Sequence, residues 1–134
     1  METMNHEYYV SFEIAKLLEK AGFDWKCRKC YNKGVLFDME PDEIRTQTPQ
    51  HSSYDVLAPT LDVAQRWLRE VKDIDVYIFP TTNNKRGCVY EWGIKTFGRA
   101  LWVEGQPYTN QHETYEETQE AGIKKALEII NKGE

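Results

Sequence analysis

Two cysteines spaced as Cys27-x-x-Cys30 are the most conspicuous chemical feature of this chain. That spacing serves zinc, which needs four Cys or His ligands, and it serves thiol–disulfide chemistry. The remaining thiol and imidazole groups are Cys88, His6, His51 and His112, all distant in sequence and none in a second close pair. The pair thus lacks half a zinc site. It also follows a helix signal, where the redox motif follows a strand and opens a helix. Cys27 and Cys30 are kept as candidate ligands or thiols, and the expected cofactor set is none.

Four cations surround that pair: Lys26, Arg28, Lys29 and Lys33, with no acid among them. Trp25 and Tyr31 interleave. Basic side chains beside aromatic rings are how single-stranded nucleic acid is held. The bland alternative is a solvated loop, and the overall charge favours it. The chain carries 17 Lys/Arg against 22 Asp/Glu, a net charge of -5. Residues 1–59 balance at -3 and residues 60–134 at -2. Neither half is a basic module, so a nucleic-acid partner ranks second to a protein.

Acids gather at Asp38, Glu40, Asp42 and Glu43, but their spacing matches no calcium loop. No G-x-S-x-G, phosphate loop, G-x-G-x-x-G or H-E-x-x-H occurs. The sequence therefore supplies no catalytic constellation. It does supply aromatics in surplus: 8 Tyr, 5 Phe and 4 Trp. A core can absorb Trp67, Tyr90, Trp92 and Trp102. Tyr8, Tyr9, Tyr54, Tyr77 and Tyr108 are left over. Tyr54, Tyr77 and Tyr108 are the candidate contact residues, because tyrosine offers large area at low entropic cost. Ordinary half-burial of a tyrosine is the bland alternative.

These groups need a scaffold, and 134 residues build one domain with one core. Ser11 caps a first helix with Ile14, Leu17, Leu18 and Ala21 on its apolar stripe, and Gly22 stops it. Residues 26–33 form a polar loop. Val35-Leu36-Phe37 is a short strand, residues 40–53 are a long loop, and residues 54–58 are one more short strand. Thr60 caps a second helix whose stripe is Leu61, Ala64, Trp67, Leu68 and Val71. Val76 to Phe79 begins a meander that continues through a strand from Cys88. There Cys88, Tyr90, Trp92 and Ile94 face one way, and Glu91, Gly93 and Lys95 the other. A turn over Phe97-Gly98-Arg99 leads to a third strand at residues 100–103. Thr114-Tyr115-Glu116-Glu117 is a capping box for a last helix with Ile123, Ala126, Leu127 and Ile130 on its stripe. Gly122 inside it costs about 1 kcal/mol relative to Ala, which points to close contact with the sheet.

The expected fold class is α+β: an antiparallel sheet of three to five strands with two or three helices on one face. The order is roughly α-β-β-α-β-β-β-α, in one domain over residues 1–134. An open opposite face would carry Val89, Phe97, Leu101 and Val103, a patch that invites a protein partner or a second copy as a homodimer. The second half has the element order of double-stranded RNA-binding domains. Those grip phosphate with lysines at the start of the last helix, where this chain has Glu113, Glu116, Glu117 and Glu120, the wrong sign. No stretch is long and apolar enough for a membrane, and the N-terminus lacks a signal peptide's basic start, so a cytoplasmic setting is expected.

Three blocks carry a resemblance. They are Tyr9 to Leu18 with Gly22-Phe23-Asp24, Leu57-Ala58-Pro59-Thr60 with residues 65–71, and Tyr115-Glu116-Glu117 with residues 120–123. Together the chain resembles small uncharacterised proteins encoded by phages and prophages of gut anaerobic bacteria. The resemblance implies an accessory protein made inside a bacterial host cell. It assigns no catalytic or binding residue.

Overall fold

A computed structural model describes residues 8–38, 55–83, 87–96, 102–104 and 111–133. Among the described residues, three helices and seven strands follow in the order α1 (Phe12–Ala21), β1 (Lys29–Asn32), β2 (Val35–Asp38), β3 (Asp55–Leu57), α2 (Leu61–Val71), β4 (Ile74–Asn83), β5 (Gly87–Thr96), β6 (Trp102–Glu104), β7 (Gln111–His112) and α3 (Tyr115–Gly133). The class is α+β, and every strand pair is antiparallel.

Each helix starts where a hydroxyl can satisfy an orphan amide. Ser11 Oγ accepts from Ile14 N at 3.2 Å, Thr60 Oγ1 from Val63 N at 3.2 Å and Thr114 Oγ1 from Glu117 N at 3.1 Å. Gly22 ends α1 at φ 99°, donating to Glu19 and Leu18 carbonyls. The stripe of α2 buries Leu61, Ala64, Trp67 and Leu68, but Val71 stays exposed. At about 100° per residue Val71 falls between Ala64 and Trp67 on the same face, so its exposure follows from its place as the last residue of α2 and not from its azimuth.

The strands fall into two sheets. One has the order β2-β1-β3, the other β4-β5-β6, with β7 also pairing β5. Residues 26–33 are thus more than a polar loop, because Lys29–Asn32 is a strand. Cys30 is buried beside Leu57, and the Tyr31 hydroxyl donates to the Val10 carbonyl at 2.8 Å. Lys33 at φ 56° and Gly34 at φ 81° then make the tight two-residue turn into β2.

In the larger sheet the register pairs Val76 with Ile94 and Ile78 with Trp92, and these rows face the helices. The α3 helix packs on β4, β5, α1 and α2, which makes it the central element. Gly122 lets it approach: a β-carbon there would lie 2.7 Å from Val76 Cγ1 and 3.2 Å from Trp92 Cβ. Val103 pairs with Ile94 in the register of β5 and β6, and its side chain lies outside the described residues. Val89 lies on the outer side but is 1% exposed, so it offers no patch. Phe97 and Leu101, and with them the predicted turn at residues 97–99, lie outside the described residues, as does the predicted loop 40–53.

Candidate functional site

Of the three tyrosines picked out by the sequence, Tyr54 and Tyr108 lie outside the described residues. Tyr77 is on β4, opposite Gly93 on β5. The alternation of a strand sends it to the outer side, away from α2 and α3. Its ring occupies the space above Gly93, where any β-carbon would overlap the Tyr77 Cζ and hydroxyl. Phe79, two residues on and so on the same side, stacks with it at 5.9 Å between centroids and 24° between planes. Tyr77 is half-buried, while Phe79 is 37% exposed. Glu91 and Lys95 flank the pair from β5. The result is an aromatic surface on a rigid strand pair with charges at its rim. The sequence reading found Tyr77 and missed Phe79, although the spacing of two along one strand was the available signal.

A second apolar surface is the edge strand β2. Val35, Leu36 and Phe37 are all exposed, and among the described residues β2 pairs only with β1. Edge strands usually carry charge or proline to prevent pairing with another chain, and this one carries neither before Asp38.

The structure divides the basic cluster. Lys29 is committed: its Nζ pairs with Asp38 at 2.5 Å and lies 5.1 Å over the Tyr9 ring. Lys33 is exposed in the hairpin turn. Lys26 and Arg28 are exposed and line a shallow pocket of about 190 Å³ with Tyr9, Cys27, Pro59 and Val63. Two cations rather than four therefore share one place.

Cys27 and Cys30 are both buried, and neither forms a disulfide. The Cys27 thiol donates to the Trp25 carbonyl at 3.6 Å. Burial, with Cys30 adding to it, pushes that thiol from 9.0 up to about 12. A reactive or metal-binding cysteine needs the thiolate, and this environment disfavours it. No group of three His, Cys, Asp or Glu side chains with metal-ligand geometry occurs among the described residues.

One polar arrangement was missed by sequence reading. Gln119 on α3 is 2% exposed. Its amide nitrogen donates to Asp62 Oδ1 at 2.7 Å and to Gln65 Oε1 at 2.8 Å on α2. Gln65 in turn donates to the Val76 carbonyl of β4 at 2.5 Å. The signal was present: Gln119 falls four residues before Ile123, on the apolar stripe, where a polar residue must find partners.

Comparisons of the chain with family models, with curated proteins and with solved structures return no match. Among the described residues, no helix is long and apolar enough to cross a membrane.

Proposed function

We propose that this chain is a non-enzymatic accessory protein, of phage or prophage origin, that binds a macromolecular partner through exposed aromatics. The partner is a protein in the cytoplasm of a bacterial host. The observation that carries this reading is the stacked Tyr77–Phe79 pair on the outer side of β4. An exposed phenylalanine on a stiff strand, braced by a second ring, is pre-organised contact area, and pre-organisation lowers the cost of binding.

The test is capture from host lysate by the tagged protein, with and without nuclease, comparing the native chain with Phe79→Ser. The expected outcome is a protein recovered regardless of nuclease and depleted at least tenfold by the substitution. That factor corresponds to about 1.4 kcal/mol, above the roughly 1 kcal/mol that only a minority of interface residues exceed. Equal recovery by Phe79→Ser rules out this surface. Recovery that collapses with nuclease instead supports a nucleic-acid partner held by Lys26 and Arg28.

A second reading, self-association as a homodimer, is favoured by the apolar edge of β2. Antiparallel pairing of two such edges satisfies outward backbone groups on both copies and covers Leu36 and Phe37 at once.

A further inference from the structure

We infer that two copies of this chain pair through β2 in one register: antiparallel, about a two-fold axis at Leu36, with the Leu36 residues of the two copies directly opposite each other. The inference rests on the homodimer reading above and deepens it.

The backbone narrows the choice of register. Along an antiparallel strand, successive residues aim their N–H and C=O groups to alternate sides. The Lys33-Gly34 turn closes on Asn32 and Val35, and a two-residue turn of this kind makes its closing pair a hydrogen-bonded one. Val35 and Phe37 therefore aim their backbone groups at β1, while Gly34, Leu36 and Asp38 aim theirs outward. The far side of β1 agrees. Ala58 N donates to the Lys29 carbonyl at 2.9 Å, so Lys29, the residue opposite Asp38, turns away from β2. A two-fold antiparallel pair must set outward residues against outward residues. Within the exposed run this leaves an axis at Val35, Leu36 or Phe37.

Side chains decide among the three. An axis at Val35 draws Lys33 into the strand, yet Lys33 is left-handed in the turn at φ 56°. An axis at Phe37 brings the two Asp38 carboxylates together as diagonal neighbours. The axis at Leu36 pairs all of residues 34–38. Leu36 then meets Leu36 on one face. On the other face Val35 of each copy lies opposite Phe37 of the other, and these three side chains are the exposed apolar ones of β2. Charge selects the occupant. Lys33 stands at one end of the strand and Asp38 at the other, and the Asp38 side chain stays 77% exposed beside Lys29. Antiparallel pairing brings each Lys33 to the other copy's Asp38, whereas parallel pairing sets like charge beside like. The edge is thus complementary to itself, and its occupant is a second copy.

The measurement is disulfide formation by the full chain in a glutathione redox buffer, read by intact mass. Cys88→Ser serves as background, because it removes the exposed thiol. Leu36→Cys should cross-link to itself, since opposed Cα atoms of a hydrogen-bonded pair lie about 5.5 Å apart, within disulfide reach. Asp38→Cys should not, because its two copies lie four residues out of step, roughly 14 Å apart. An equimolar mixture of Val35→Cys and Phe37→Cys should give mainly the mixed disulfide. All four positions are exposed, so the substitutions leave the core intact. In sedimentation velocity, Lys33→Glu should weaken the dimer of the native chain at least threefold. Three results overturn this register while leaving self-association standing: a dimer that cross-links at Asp38 and not at Leu36, a mixture dominated by the two homodisulfides, or a dimer indifferent to Lys33→Glu. A monomer at every concentration, with no disulfide beyond that of the urea-unfolded variants, overturns both the register and the homodimer reading.

Discussion

A single thiol shows how burial overrides spacing. The Cys27-x-x-Cys30 pair has the sequence form of a reactive site, yet Cys27 is held as a protonated donor to Trp25. Iodoacetamide at pH 8 should therefore modify the native protein once, at exposed Cys88, and the urea-unfolded protein three times, as read by intact mass. The same group predicts a pH dependence. Its folded value of about 12 exceeds the ordinary 9.0, so the folded state keeps a proton that the unfolded chain loses. Stability is unaffected below pH 9 and falls as pH rises from 9 toward 12. Tyr31, raised in the same direction by burial and by Glu120, adds to that loss at the upper end. Urea denaturation at pH 8 and pH 10.5 checks the sign. At this scale the helix caps were the most legible features, because Ser11, Thr60 and Thr114 each act on an amide three residues away. Gln119 was not, because its partners Asp62 and Gln65 lie more than 50 residues away in sequence.

Elements depend on register, and register is set by what lies between them. Helix stripes were legible because a period of 3.6 is internal to each helix. The register that sets Val103 opposite Ile94 was not, because it depends on the number of residues between β5 and β6. The β1 strand was hidden by its polar composition, Lys-Cys-Tyr-Asn, although the Lys33-Gly34 turn that defines its hairpin was in view. Gly122 gives the sharpest prediction for an element. Gly122→Ala should gain about 1 kcal/mol of helix propensity. The new methyl must also displace Val76 Cγ1 and Trp92, and overpacking of this kind costs about 1–3 kcal/mol. Backbone-adjacent Trp92 Cβ cannot move as a side-chain tip can, so the substitution should be net destabilising. Thermal melting showing a lower midpoint than the native chain is the expected result.

For the whole molecule, the α+β class and the order of helices around two groups of strands were legible, while the separation into two sheets was not. Nothing in a strand's own sequence says whether its neighbour is β3 or β4. The smaller sheet ends at β2, and that edge makes a prediction about the state of the molecule in solution. Sedimentation velocity over a hundredfold concentration range should show a monomer–dimer equilibrium. Leu36→Lys should shift it toward monomer by at least tenfold in dissociation constant, leaving the melting temperature nearly unchanged because residue 36 is exposed. A single monomeric species for both proteins would exclude self-association through β2. The net charge of -5 opposes any dimer weakly, so added salt should strengthen it.

The central position of α3 also governs the birth of the protein. Its stripe of Ile123, Ala126 and Leu127 closes the core over Val76 and Ile94, yet it is translated after the strands that it covers. Synthesis proceeds at about 5–20 residues per second, so the ribosome needs roughly two to seven seconds to pass from Ile94 to Leu127. During that interval the nascent meander has an uncovered greasy face, a time in which a chaperone has a surface to hold.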